Sequence, residues 1–162
     1  MERLWTPWRM EYVKGADLAD GCFLCDAPAA GDDGATYILH RGENAFVILN
    51  IYPYNSGHLM VAPYRHAADI EELEPDEAVE GWSLLLRSVR VLREAMAPQG
   101  FNIGMNLGRV AGAGVPDHLH FHVVPRWGGD TNFMPVTGAA KVLPELLDET
   151  YARLKPLFEE SA

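Results

Sequence analysis

Three histidines spaced by two, His118-Leu119-His120-Phe121-His122, are the residues of this chain best suited to chemistry. Successive strand side chains point to opposite faces, so an extended segment puts the three imidazoles on one face and Leu119, Phe121 and Val123 on the other. On a flat strand the outer two stand roughly 13 Å apart, four rises of about 3.3 Å, whereas zinc holds each nitrogen at about 2.0 to 2.1 Å. One ion therefore cannot take all three from a flat strand. The middle residue, His120, has an imidazole on each side, which suits a nucleophile with two supports. An end histidine is left for orientation or for a metal. A three-histidine metal face and a solvated histidine edge are the competing readings of the same spacing.

The chain around this row has 162 residues, the size of one ordinary domain. With 13 Lys and Arg against 23 Asp and Glu its formal charge is −10, which repels a nucleic-acid backbone. A small polyphosphate remains possible where Arg109 and Arg126 make a local positive spot, since arginine binds phosphate bidentately. No stretch reaches signal-peptide or membrane-span character, so a cytoplasmic protein without membrane or nucleic-acid partners is expected. In that reducing compartment Cys22 and Cys25 are metal ligands or a redox pair rather than a structural disulfide.

Several elements must position these residues. The aromatic segment 4–12 should pack on the body or on a partner subunit, and 22–34 reads as a Cys-x-x-Cys knuckle followed by a loop. Tyr37–His40 and Ala45–Leu49 form a hairpin across Arg-Gly-Glu-Asn. A Pro, Gly and Asn loop, 50–57, leads into a strand over 58–63. The spacing of Val79, Trp82, Leu85, Leu86, Val89, Leu92 and Met96 predicts a helix over 76–96 whose periodic residues are core, begun by Pro75 and stopped by Pro98 and Gly100. A strand over 101–107, a glycine loop over 108–116 and the histidine strand follow. That loop can offer backbone amides to phosphate oxygens. Leu143, Leu147, Leu154, Leu157 and Phe158 mark a closing helix interrupted by Pro144 and Pro156. The order β-β-β-α-β-β-α predicts an α+β domain with a mainly antiparallel sheet, one long helix and a C-terminal helix.

Asn50-x-x-Pro53-x-x-x-Gly57-His58-x-x-Val61-x-Pro63-x-x-His66, then Asn106-x-Gly108, the glycine loop and the histidine row, together resemble the conserved blocks of the histidine triad (HIT) superfamily of nucleotide hydrolases and transferases. The likeness covers 37–126, with 1–36 as an N-terminal segment and 127–162 as an extension of a single domain. The flanks Leu4-Trp5-Thr6-Pro7-Trp8-Arg9-Met10 and Pro125 to Phe133 resemble a bacterial branch, the diadenosine tetraphosphate phosphorylases. One departure stands out. Many members place Gln and then Ser or Thr before the triad, whereas this chain has Ala113-Gly114-Val115-Pro116-Asp117, so backbone amides, Asn106 or Asp117 must substitute.

The resemblance implies that His120 attacks an α-phosphate to give a nucleotidyl-histidine, with His118, His122 and His58 beside it. It places Asn50 at the ribose, and Asn106, Gly112, Gly114 and Arg126 at phosphates. By likeness to zinc-containing relatives, Cys22, Cys25, His66 and His118 form a closed structural zinc site, and no catalytic metal is required. It also implies a homodimer paired through the long helix and a strand. Phosphorolysis of diadenosine tetraphosphate to ATP and ADP is the expected reaction. A HIT-family nucleotide or phosphoramidate hydrolase, and a nucleotide-binding regulatory module with little turnover, are the alternatives.

Overall fold

The computed structural model describes residues 21–130 and 145–160. The aromatic segment 4–12, Leu143 and Pro144 lie outside the described residues. Among the described residues, the strands β1 (Ile38–Arg41), β2 (Ala45–Leu49), β3 (Leu59–Pro63), β4 (Gly100–Gly104) and β5 (Phe121–Arg126) form one sheet. Its order is β1-β2-β3-β5-β4, with every neighbouring pair antiparallel. The helices are α1 (Phe23–Ala29), α2 (Asp33–Thr36), α3 (Pro75–Met96) and α4 (Leu147–Glu160). No helix among the described residues is long and apolar enough to cross a membrane.

β2 and β3 are buried along their whole length, which explains their unbroken apolar runs. Ala45, Val47, Leu49, Leu59, Val61 and Val123 face α3 and α4, where Leu85, Leu92, Leu154 and Phe158 complete the larger core. Phe46, Ile48, Met60 and Ala62 face the other way and pack with Ile38 and with Leu24 of α1. His122 stands opposite Met60 and Gly104 in the register, which puts it on the sheet face away from α3.

Three expectations need correction. Residues 22–34 are not a knuckle and a loop, because α1 and α2 occupy most of them. Burial of Leu24 contributes about 1.5 to 3 kcal/mol, enough to offset most of the roughly 3 kcal/mol that a proline costs inside a helix. Pro28 sits in the last turn of α1, where little ladder is left to lose. Likewise α4 runs through Pro156, since Leu154 and Phe158 on either side are fully buried. In α3 the stripe Val79, Trp82 and Leu86 is not core; these residues are 70%, 57% and 43% exposed, while Leu84, Leu85, Val91 and Leu92 are buried. The apolar stripe is wider than the face the sheet covers.

Two local devices aim the site. The Glu80 carboxylate of α3 accepts from the backbone amides of Glu43, Asn44 and Ala45 and so ties the β1–β2 turn to the helix. The loop before β3 turns at Gly57, whose φ of +75° favours glycine and where a Cβ would stand 2.7 Å from Met96 Sδ. This turn delivers His58 to the buried end of β3.

At the far edge, His40 Nε2 accepts from Arg87 Nη1 at 3.2 Å, and the ring stacks on Phe158. Burial, then Arg87 and Lys155, hold His40 below its ordinary pKa, with Glu80 opposing. The folded state therefore binds this proton less readily than the unfolded chain does. The contribution of neutral His40 is present above about pH 6.5 and is lost as pH falls from there through the lowered folded pKa. Denaturant midpoints at pH 7.5 and 5.5 should show a larger acid loss in the wild type than in His40→Gln. Equal losses would mean that this contact does not set the pH dependence.

Candidate active site

β5 begins at Phe121, so His118 to His120 lie just before the strand and not on it. The backbone there is held by Leu119 N donating to Ala67 O at 2.7 Å. This breaks the flat row that the spacing predicts. The His118 ring turns toward Cys22, Cys25 and His66, whereas the His120 and His122 rings meet edge to face with centroids 4.7 Å apart.

Backbone groups decide which nitrogen of each imidazole carries a proton. His120 Nδ1 lies 2.8 Å from the carbonyl of His118. A carbonyl only accepts, so Nδ1 is the protonated nitrogen and Nε2 keeps its lone pair. His118 Nε2 donates to Pro63 O at 2.9 Å, leaving its Nδ1 lone pair aimed at the sulfurs, 3.2 Å from Cys22 Sγ and 3.4 Å from Cys25 Sγ. The Tyr54 amide donates to His58 Nδ1 at 3.0 Å, which makes His58 Nε2 the proton bearer. That nitrogen donates to His122 Nδ1 at 3.0 Å, so His122 Nε2 carries a proton. The outcome is a nucleophilic nitrogen on His120 and an N–H donor on His122.

Burial fits these roles. His120 is 5% exposed and His58 is fully buried. Desolvation pushes the His120 pKa below its ordinary value, against the opposing hydrogen bond to His118, and so keeps the ring neutral at pH 7. Burial lowers His118 as well.

The surrounding residues differ in where they stand. Asn106 and Gly112 line an open cavity of about 370 Å³ together with Tyr54, Asn102, His122 and Val124. Asn50 follows the last residue of β2, with Oδ1 taking the Tyr52 amide at 2.9 Å and Nδ2 3.5 Å from His58 Nδ1. Gly114 lies two residues beyond Gly112 on the loop, outside the cavity wall. Arg126 calls for the largest change. Its guanidinium binds Asp130 through Nε at 2.6 Å and Nη2 at 2.9 Å and donates to Asn102 Oδ1, so it acts as a strut between β5 and β4 with its charge neutralised. Arg109 sits on an exposed 3₁₀ turn.

Tyr54 has a role that residue spacing did not show. Its ring stacks on His58 at 4.8 Å and it lines the cavity. The only signal for it was an aromatic residue within the loop before His58; the amide that sets the His58 tautomer has no side-chain signature.

The four ligand atoms of Cys22, Cys25, His66 and His118 lie within 4.8 Å of one another. Bond lengths of about 2.3 Å to sulfur and 2.0 to 2.1 Å to nitrogen place tetrahedral ligands about 3.3 to 3.8 Å apart, and Cys25 Sγ stands 3.3 Å from His66 Nδ1. The set can hold a metal ion with little movement. Burial and then the neighbouring Cys22 push the Cys25 thiol up to about 11, so metal binding there must displace protons.

An antiparallel five-stranded sheet beside a buried histidine whose Nε2 keeps its lone pair, with a second histidine N–H next to it, defines a class. The HIT domain family matches residues 35–129, and the chain belongs to the HIT family. It is an enzyme of that family, similar to the AP-4-A phosphorylase of Mycobacterium tuberculosis, with 41% identity over 157 residues covering 93% of this chain and 80% of that protein. An adenosine 5′-monophosphoramidase of Schizosaccharomyces pombe is 34% identical over 82 residues, 51% of this chain and 58% of that one. Among solved structures, a zinc-bound histidine triad family protein from Mycobacterium smegmatis superposes with a TM-score of 0.69 at 25% identity, covering 87% of this chain and 95% of that one.

Proposed function

We propose that this chain, a single domain over 1–162, transfers a nucleotidyl group from diadenosine tetraphosphate to inorganic phosphate and yields ATP and ADP. The observation that carries this reading is the His120 imidazole, neutral, buried and with Nδ1 held by the His118 carbonyl, which leaves Nε2 as an in-line nucleophile. Similarity to a protein named AP-4-A phosphorylase supports the choice of substrate.

In the first step His120 Nε2 bonds to the α-phosphorus, and the bond to the bridging oxygen breaks to release ATP. In the second, a phosphate oxygen attacks the same phosphorus, the P–N bond breaks and ADP leaves. His122 Nε2–H donates to the phosphoryl oxygens where charge builds, positioned through His58 and the Tyr54 amide. Asn50 takes the ribose, and Asn106 with the Gly114 amide takes phosphate oxygens; the Gly112 amide, expected there from the glycine loop, instead donates to Arg109 O at 3.0 Å and closes the 3₁₀ turn. Arg126, paired with Asp130, is left out of this set. His118 acts through its carbonyl.

Cys22, Cys25, His66 and His118 hold a structural zinc in this reading, supported by the donor geometry and by the zinc-bound relative. The metal supplies a clamp between α1, the segment after β3 and the start of the histidine row. A reducing cytoplasm keeps both thiols available.

The exposed Val79, Trp82 and Leu86 stripe and the exposed residues of edge strand β4 form the surface of a homodimer. Light scattering at micromolar concentration should give twice the chain mass for the wild type and a shift toward the monomer for Trp82→Arg. A monomeric wild type removes this assembly.

Water as the acceptor is the second reading. The neutralised Arg126 favours it, because it leaves fewer cations for a second anion. Incubation with diadenosine tetraphosphate separates the two: ATP plus ADP, dependent on phosphate, supports phosphorolysis, and ATP plus AMP supports hydrolysis.

A further inference from the structure

A second cavity, of about 600 Å³, opens at the end of the sheet, between the C-terminal end of α3, the turn after β5 and the start of α4. Ser56 reaches it with only 6% exposure, and its Oγ has no hydrogen-bond partner among the described residues. A buried hydroxyl left unpaired carries a desolvation cost that a ligand's polar atom removes. Trp127 forms part of the wall, with its indole N–H fixed on Met96 O at 3.3 Å, and Gly128 and Gly129 beside it leave room for a flat ring.

The charge of the walls restricts the ligand. Asp130, Glu145 and Glu149 line the cavity against one guanidinium, that of Arg153, which pairs with Glu145. Even with Arg126 neutralising Asp130 one carboxylate is in excess among the described residues, which disfavours phosphate and favours a group that donates hydrogen bonds. An aromatic face, a hydroxyl and a surplus carboxylate suit a purine with an exocyclic amine. The loop before β3 joins the two cavities: Tyr54 lines the reaction cavity, and the next two residues, Asn55 and Ser56, line this one.

We infer that this cavity receives the adenosine of the leaving nucleotide, so that the chain grips both ends of a dinucleoside polyphosphate. The inference rests on the dinucleotide reading of the reaction cavity and adds a second nucleoside subsite to it. Ser56 bonds a ring nitrogen, Trp127 stacks on the base and Glu149 accepts from the amine.

The test compares diadenosine tetraphosphate with adenosine 5′-tetraphosphate, which keeps the phosphate chain and lacks the second nucleoside. Wild type should prefer the dinucleotide in kcat/KM by about tenfold or more. Trp127→Ala and Ser56→Ala should each bring that ratio toward one, mainly by raising the KM for the dinucleotide. If Trp127→Ala does not fold, Ser56→Ala, which removes one oxygen, reads the same ratio. A wild type with no preference, or variants that keep the wild-type ratio, overturns the second subsite while leaving the reaction in place. A wild type that turns over neither compound overturns the dinucleotide reading itself.

Discussion

His120→Ala should lower turnover of diadenosine tetraphosphate by about 10⁴-fold or more, the scale seen when a covalent nucleophile is removed, while the dissociation constant for AMP stays within about threefold. The two quantities separate because the ring holds no ribose or base contact in this account; it supplies only the Nε2 lone pair. Neither His58 nor His122 can replace it, since His58 donates through Nε2 to His122, and His122 then carries its proton on Nε2. Mass spectrometry of wild type quenched without acid should trap a nucleotidyl adduct on His120. A variant that turns over near the wild-type rate would remove covalent catalysis from the account.

The second large effect is on stability. Purified protein should contain one zinc per chain by elemental analysis, and Cys22→Ser should lower stability by about 4 kcal/mol or more, as loss of a bound metal does. In a chain of 162 residues this corresponds to a melting temperature about 10 °C lower. Affinity for AMP should change much less, because the metal ligands touch the site only through His118, whose ring faces the sulfurs and whose carbonyl faces His120. Metal-free protein with undiminished stability would return the two cysteines to ordinary thiols.

The parts legible in the sequence are those whose signal is side-chain type at fixed spacing. The β1–β2 hairpin, the long helix, the antiparallel sheet and the HIT blocks all carry such signals. The Cys22, Cys25, His66 and His118 set also emerged, from likeness to zinc-containing relatives, and the structure brings all four together. What escaped was decided by tertiary context. Leu24 finds a pocket and draws Phe23–Ala29 into a helix despite Pro28. Val79, Trp82 and Leu86 have core spacing, yet the sheet is too narrow to cover them. Arg126 looked like a phosphate ligand because Asp130, four residues on, gives no sign in sequence that it will fold back onto the guanidinium. The histidine row was predicted as one flat face, but β5 begins at Phe121 and the hydrogen bond from Leu119 to Ala67 holds the first two members, His118 and His120, outside it.

The central claim is that the nucleotidyl-His120 intermediate passes to phosphate rather than to water. Water is present at roughly 55 M, so only a preorganised anion site beside the reacting phosphorus can give phosphate the advantage; Asn106 and the Gly114 amide are the donors assigned to it, the Gly112 amide being taken by Arg109 O at 3.0 Å. The direct measurement is the fate of labelled inorganic phosphate during turnover of diadenosine tetraphosphate. The account predicts label in the β-phosphate of ADP, unlabelled ATP in equal amount, and almost no AMP. ATP plus AMP formed at the same rate with and without phosphate, with no label in ADP, would contradict it.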